Sequence, residues 1–281
     1  MKLSAGQIAD FRRTILDNYR EHGRSFPWRE TDDPYEILVS EMMLQQTQTL
    51  RVVPKYEAWL KRFPTARSLA EAPLADVLAQ WNGLGYNRRA KYLQAACAEV
   101  CGRYGGKFPL SSSELEQLPG IGPYTARAVS SFAFNNPEAF VETNIRSVFI
   151  FFFYNDASEK VPDSELLAIA EQTVDKADPR TWYYALMDYG AELKKRVKNP
   201  SRKSASYAKQ SKFEGSLRQA RGAILRQLAE KKKVTLSEVA SAEHIDMYRL
   251  EEAVRKLSGE QLVCEKDGVY TVSGADGQNN R

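Results

Sequence analysis

Nine residues, Leu118-Pro119-Gly120-Ile121-Gly122-Pro123-Tyr124-Thr125-Ala126, constrain the fold of this chain more than any other stretch. Two glycines two apart allow a tight turn and let a partner approach the backbone with no Cβ in the way. Pro123 suits the first turn of a following helix, whose unbonded N–H groups and positive dipole end then face the turn. Leu115 and Leu118 form an apolar lead-in, and Ile121 is placed to plug the hairpin into a core. The string predicts two helices joined by a hairpin whose amides around Gly120 and Gly122 can grip one phosphate. A monovalent cation would sit on the carbonyls of Leu118 and Gly120. A bare Gly-x-Gly before a helix is often only a turn, and it is the full string that favours anion binding.

The surroundings carry the helical rhythm that such a hairpin needs. Ile8, Phe11, Ile15 and Tyr19 recur at helical spacing, as do Leu74, Val77, Leu78 and Trp81, and then Tyr92, Leu93, Ala96 and Val100. Breaks at Phe26-Pro27, Phe63-Pro64, Gly83-Leu84-Gly85, Gly105-Gly106 and Asn136-Pro137 predict short loops between helices. Residues 1–198 therefore read as an all-α domain, and 281 residues leave room for a second. Residues 199–215 are polar, basic and poor in large apolar side chains, a linker by composition. Residues 216–273 change rhythm. Helices are expected over Leu217 to Ala229, from the cap Thr235-Leu236-Ser237-Glu238, and over Ile245 to Leu257; a hairpin then turns at Lys266-Asp267-Gly268. That order describes a small winged-helix-like α+β domain with Ile245 to Leu257 as recognition helix, or the same fold used for protein contacts. Residues 274–281 read as a disordered tail.

Composition excludes several classes. Hydrophobic residues are 43% and charged residues 27%, too ordinary for wholesale disorder. The longest apolar run, Val148 to Tyr154, falls far short of the ~20 residues of a membrane span. Met1 to Ile15 is charged throughout and does not resemble a secretory signal, which leaves a cytoplasmic, nucleoid-associated monomer as the expectation. Three cysteines and two histidines give neither a disulfide framework nor a zinc site. The net charge of +4 is modest, yet Ala191 to Thr235 holds fourteen lysines and arginines against three glutamates. This belt, opened by Lys194, Lys195 and Arg196, is either a solvated linker or a surface for nucleic acid. Its interspersed Ser201, Ser204, Ser206 and Tyr207 favour phosphate contacts.

Three further constellations carry chemistry. Glu41 lies among Ile37, Leu38, Val39, Met42, Met43 and Leu44. Desolvation there would raise its pKa and keep it protonated as a general acid, unless it occupies the exposed face of an amphipathic helix. Gln45, Gln46 and Gln48 follow, amides able to fill the gap left by a base extracted from a duplex. Gly83-Leu84-Gly85-Tyr86 offers Tyr86 as a second wedge, or simply a turn. In Val141-Glu142-Thr143-Asn144, Glu142 either stabilises a developing cation beside Asn144 or caps a helix. Asp188 is a lesser candidate, for a water.

Taken in order, the glutamine block, Gly83 to Tyr86, the hairpin and the acidic-Thr-Asn segment resemble the helix-hairpin-helix DNA glycosylases. Within these, Ser40-Glu41-Met42-Met43-Leu44-Gln45-Gln46-Thr47-Gln48 is similar to the adenine glycosylase (MutY-type) branch rather than the endonuclease III branch. The resemblance covers roughly residues 6 to 195. It implies a mainly α fold, a two-lobed helix-hairpin-helix domain with duplex DNA and the flipped base between the lobes. The implied reaction is hydrolysis of the N-glycosidic bond of adenine mispaired with guanine or 8-oxoguanine. Alternatives are the same enzyme class on another base, and a non-catalytic binder of DNA lesions.

Position by position, the resemblance makes Glu41 the acid, Glu142 the partner of the sugar cation and Asn144 the family's catalytic-region asparagine. Arg24, Trp28 and Arg29 would line the base pocket with Asp188. Gln45, Gln46 and Tyr86 would probe the duplex. Tyr124 matches the position of the Schiff-base lysine in bifunctional relatives, so lysine-type strand cleavage is not implied. The chain departs from the family at three places. Glu142 replaces an Asp, and the added methylene is the sort of displacement that can cost ~10²-fold in rate. No cysteine occurs between Gly190 and Ser216, so no iron–sulfur cluster or other cofactor is expected. The winged-helix-like segment stands where the family's domain for oxidised guanine would follow.

Overall fold

The computed structural model describes residues 1–209 and 212–274, so nearly all of the expected tail lies outside the described residues. Among the described residues the chain is mainly helical, with fourteen α-helices and one three-stranded sheet. It divides into two compact units. The first holds Met1–Ile37, Pro109–Gln117 and Ile121–Lys209, and the second Leu38–Phe108, Leu118–Gly120 and Gln210–Arg281. No described helix is long and apolar enough to cross a membrane.

In the first unit, with helices labelled in chain order, α1 (Ala5–His22) opens with a capping box between Ser4 and Gln7. α7 (Ser112–Leu115), α8 (Pro123–Phe134), α9 (Thr143–Phe153), α10 (Asp163–Thr173) and α11 (Pro179–Arg196) complete it. α1, α9 and α11 bury Phe11 edge-on against Phe152, Phe153 and Trp182, with centroids 5.0, 4.9 and 5.6 Å away. A second cluster stacks Phe132 on Tyr184 and Phe140 on Tyr183. α9 and α11 meet closely at Gly190, where an added Cβ would lie 2.3 Å from the Asn144 carbonyl oxygen.

The first half of residues 199–215 is not a loose linker. A 3-10 turn at Pro200–Lys203 buries Ser201, and Ser204 is buried beside it. Val161 N–H donates to the Lys203 carbonyl and Ala205 N–H to the Val161 carbonyl, each at 2.9 Å. The serines expected to meet phosphates are satisfied internally. Ser201 Oγ donates to Asn199 at 2.7 Å, and the Ser204 and Ser206 hydroxyls donate to Asp163. Short hydroxyl side chains with a carboxylate and an amide in reach prefer those partners to solvent.

In the second unit, α2 (Pro34–Leu44) contributes its residues from Leu38 onward, followed by α3 (Thr49–Arg62), α4 (Ala66–Ala70), α5 (Leu74–Trp81) and α6 (Arg88–Arg103). Trp59 packs edge-on against Phe63 and Trp81 at the centre. The C-terminal module comprises α12 (Leu217–Lys231), β1 (Lys233–Val234), α13 (Leu236–Glu243), α14 (Met247–Gly259), β2 (Val263–Lys266) and β3 (Val269–Val272). The expected cap at Thr235 is a full capping box with Glu238. The sheet is antiparallel in the order β1-β3-β2, with Val263 opposite Val272 and Lys233 opposite Thr271. Asp267 and Gly268, at φ 53° and 76°, form the two-residue turn of the wing. Sequence patterning missed β1, whose two residues close a lysine run. The module does not hang from a tether: α12 packs on α5, and Lys91 Nζ donates to the Glu260 carbonyl at 3.1 Å.

Candidate active site

Glu41 is 7% exposed on α2, beside the buried Leu38, Val39, Met42 and Met43. The exposed-face alternative for this carboxyl is thereby excluded. α2 ends at Leu44, and its last carbonyls are collected by Arg89 in the first turn of α6. One guanidinium nitrogen, Nη1, donates to the Met42 carbonyl and, at 2.8 Å, to that of Gln45. The other, Nη2, donates to the Leu84 and Gly85 carbonyls at 3.3 and 3.1 Å. Arg89 thus ties the glutamine turn to the glycine turn, with its guanidinium 5.2 Å from the Trp81 ring and 5.6 Å from that of Tyr86. Burial lowers its pKa to about 10. Sequence reasoning passed over Arg89, which stands between Arg88 and Ala90, two residues before Lys91, as one more basic residue.

Two of the residues expected to enter the duplex have left-handed backbone conformations, Gln46 at φ 56° and Tyr86 at φ 48°. Such conformations cost non-glycine residues on the order of 1–3 kcal/mol and persist where the surroundings impose them, here through Arg89. Gln46 and Gln48 are exposed, Gln45 is half-buried with its amide 3.6 Å from Met42 sulfur, and Tyr86 is 37% exposed. Thr47 Oγ1 donates to the Leu84 carbonyl at 3.4 Å, a second tie between the turns.

At the hairpin, Gly120 has φ +73° and an added Cβ would strike Tyr92 of α6 at 2.4 Å, so glycine is required twice over. Gly122 faces open space, and no neighbouring protein atom demands its missing side chain. It precedes Pro123 at the start of α8, where the positive end of the helix dipole lies. Leu118 and Ile121 are buried. Tyr124 lies edge-on to Phe140, centroids 5.7 Å apart.

The other candidates belong to the first unit. Glu142 is the N-cap of α9, its Oε1 accepting from Asn144 N–H at 2.6 Å and Ile145 N–H at 2.9 Å. Asn144 Nδ2 donates to Oε2 at 3.3 Å, while Lys194 Nζ donates to Asn144 Oδ1 at 2.8 Å. Burial pushes the Glu142 carboxyl above its ordinary pKa, although the cap amides and the Lys194 charge pull the other way. Burial likewise lowers Lys194. Lys194, expected on the polyanion-facing belt, is instead committed to Asn144. Arg196 is paired with Glu192 one helical turn back, and Lys195 remains exposed. The difference follows from helix geometry, since three consecutive residues cannot share one face.

Asp188, 6% exposed on α11, gathers both arginines of the Arg24 to Arg29 segment. Its oxygens accept from the Arg24 backbone N–H at 2.8 Å, Arg24 Nη2 at 2.6 Å, and Arg29 Nη1 and Nη2 at 2.9 and 2.8 Å. Burial alone would raise its pKa, but the two guanidiniums together hold it below the carboxylate range. Arg29 also stacks over Tyr184, and Phe26 lies flat on Trp28 at 5.1 Å. The segment is locked by a charged carboxylate that has no proton to give.

Among the described residues no group of three or more His, Cys, Asp or Glu is placed to hold a metal. Cys97 and Cys101 stand on α6, Cys97 with its thiol pushed up by burial, and Cys264 lies in β2. These three residues do not fit a four-cysteine cluster.

Residues 39–172 match the model of the HhH-GPD superfamily of base excision DNA repair proteins. The chain is 35% identical over 198 residues to the adenine DNA glycosylase of Homo sapiens, covering 66% of this chain and 36% of that protein. It is 38% identical over 180 residues to the adenine DNA glycosylase of Mycolicibacterium smegmatis, covering 64% and 61%. The structure of a thermostable thymine-DNA glycosylase superposes with a TM-score of 0.60 at 29% identity, over 66% of this chain and 87% of that one. The chain thus spans about a third to three fifths of these curated relatives.

Proposed function

We propose that the chain is a base excision DNA repair protein of the HhH-GPD superfamily, whose family model residues 39–172 match, and that it is a monofunctional DNA glycosylase acting on adenine mispaired with guanine or 8-oxoguanine. The observation that carries this reading is Glu41, a carboxyl buried in an apolar helix one turn ahead of the exposed Gln46. Burial favours the protonated form, which is what a general acid for a leaving base requires. Glu41 gives its proton to the adenine ring as the N-glycosidic bond breaks and the bonding electrons leave with the base. The sugar is left cationic. The Glu142 carboxylate stabilises it until water adds to the sugar carbon and releases a proton. Asn144 holds Glu142 and is itself held by Lys194.

Asp188 serves by fixing Arg24, Trp28 and Arg29 as one wall of the base pocket. Gln45, Gln46, Gln48 and Tyr86 enter the duplex where the base has left. The hairpin amides at Gly120 and Gly122, with a monovalent cation on the Leu118 and Gly120 carbonyls, bind one phosphate of the duplex. Tyr124 stands where bifunctional relatives carry their Schiff-base lysine, so that position supplies no amine. The chemistry draws on no iron–sulfur cluster, and the enzyme works as a monomer at the nucleoid. A second reading, excision of another base, is favoured by one feature, the longer Glu142 where the adenine-specific family carries Asp.

Single-turnover excision by wild type and Glu41→Gln, on a panel of mispairs and lesions, tests the assignment. Adenine opposite 8-oxoguanine should be the best substrate. The variant should lose at least ~10²-fold in rate while binding DNA nearly as well. A wild type that prefers another base favours the second reading. If Glu41→Gln cleaves like wild type, the proposed acid is wrong.

A further inference from the structure

Every residue assigned to the chemistry precedes residue 198, which leaves the C-terminal module without a task. Its first helix lies over the wedge. The Arg218 guanidinium of α12 sits 5.7 Å from the centre of the Tyr86 ring and 6.0 Å from that of Phe213. Between these groups opens a cleft of about 990 Å³, with Gln45, Gln46 and Tyr86 on one wall and Phe213, Arg218 and Arg221 on the other. Seven arginine and lysine side chains line it against the carboxylate of Glu260. That carboxylate is neutralised by a two-pronged pair with Arg221, at 2.8 and 2.5 Å.

These elements suit one kind of occupant. The cationic lining attracts a phosphate, Tyr86, Phe213 and the guanidinium planes offer stacking faces, and the glutamine amides can read a base edge. The volume is at the upper end of the range for small-ligand sites and has room for a nucleotide. Glu41 does not line the cleft, so the extracted base is not what it holds. Extraction of a base leaves a second nucleotide behind, the former pairing partner, unstacked on one side and with its hydrogen-bonding edge bare.

We propose that the cleft between the wedge turns and α12 holds this orphaned nucleotide, and that Arg218 and Phe213 determine which opposite base is accepted. The inference rests on the reading of the protein as an enzyme that extracts a base from duplex DNA. It assigns to the appended module a role in specificity rather than in turnover. It also accounts for the docking of the module on α5 and α6, because a tethered domain would not keep Arg218 in register with Tyr86.

The test uses the full chain and two duplexes of one sequence, differing at a single position. One duplex is intact, and the other carries a non-cleavable abasic analogue; both have 2-aminopurine opposite that position. Affinity and 2-aminopurine fluorescence are measured for wild type, Arg218→Ala, Arg218→Lys and, as a control outside the cleft, Arg103→Ala. Wild type should prefer the abasic duplex and perturb its fluorescence. Arg218→Ala should reduce that preference about tenfold, the scale of one lost stacking contact. Arg218→Lys should fall with it, since lysine keeps the charge but not the planar face. The control should retain both signals. Equal weakening of both duplexes by Arg218→Ala would overturn the proposal, leaving α12 as a sequence-blind backbone contact. So would a preference that rises in the variant, which would make α12 a cover over the wedge, or the absence of any preference in wild type. The abasic duplex has no base to excise at the probed position. A failure of the proposed reaction would therefore appear in the excision assay and not in this one.

Discussion

Replacing Glu142 separates two jobs that the same oxygens perform. As N-cap of α9 the side chain accepts two amide hydrogen bonds, and Glu142→Ala should cost about 1–2 kcal/mol of stability. Glu142→Gln retains a carbonyl oxygen for both amides but loses the charge and the acceptor that Asn144 Nδ2 uses, so its stability at neutral pH should stay within ~2 kcal/mol of wild type. Burial raises the Glu142 pKa in the folded chain above its unfolded value. The folded state then binds the proton more tightly than the unfolded one. Wild type therefore loses stability as pH rises from about 4.3, the unfolded carboxyl value, through the folded value, and the loss is complete above it. Glu142→Gln escapes that loss, so its stability relative to wild type should climb over this window in urea unfolding followed by circular dichroism. Excision should move the opposite way, falling on the order of 10²–10³-fold in the Gln variant if the charge stabilises the sugar cation. Glu142→Asp, a favoured capping residue with its charge intact, should keep α9 capped and retain substantial activity. A Gln variant that excises like wild type would reduce Glu142 to a helix cap. A Gln variant whose relative stability falls as pH rises would refute the argument from burial.

Three further outcomes follow from the packing. Gly190→Ala forces a Cβ against the Asn144 carbonyl and should destabilise the chain by about 1–3 kcal/mol and slow excision; unchanged unfolding would mean α9 and α11 can part freely. Arg89→Ala strips hydrogen bonds from the ends of both wedge turns and should cost at least ~2 kcal/mol, read from urea unfolding, with unchanged stability counting against the tie. Lys195→Glu with Lys198→Glu, both exposed, should lower the salt slope of duplex binding by about 2, and an unchanged slope would put this end of the belt off the DNA path.

What the sequence made legible is what local chemistry decides. Helical periodicity, the Thr235–Glu238 box and the Asp267-Gly268 turn are written in neighbouring residues, and the structure has them where the pattern predicts. Gly120 was legible as a turn, but its second requirement, the Tyr92 side chain against its α-carbon, comes from another helix. Glu142 stood between cap and charge because both roles use the same atoms. Lys194 read as one more basic residue in a belt because its partner, Asn144, is fifty residues away. Arg89 left no local trace of the carbonyls it collects from two separate turns.

Residues 197–207 bear on how the first unit holds its candidate residues. The family resemblance places an iron–sulfur loop after α11, and here the chain instead returns over α9 and α10. Ser147 of α9 donates to Asn199 at 3.3 Å, and Arg146 of α9 pairs with Asp163, which also accepts from Ser204 and Ser206. The helix capped by Glu142 is thereby gripped twice: at its start by Gly190 and Lys194 of α11, and one turn later by this strap. Position at a reacting centre matters to within about an angstrom, since displacements of that size cost ~10²-fold in rate. Hydrogen bonds among serine, asparagine and aspartate offer this fixation without metal or redox sensitivity. Their cost is dependence on a single carboxylate, Asp163, whose pKa the Arg146 and serine contacts hold down against the opposing effect of burial. Protonation of Asp163 in acid releases Arg146 and the two serine hydroxyls together. Urea unfolding should therefore show the strap's contribution lost as pH falls through the depressed Asp163 value, while the Glu142 cap, whose pKa burial raises, keeps its own. Unchanged acid stability in Asp163→Asn relative to wild type would count against this.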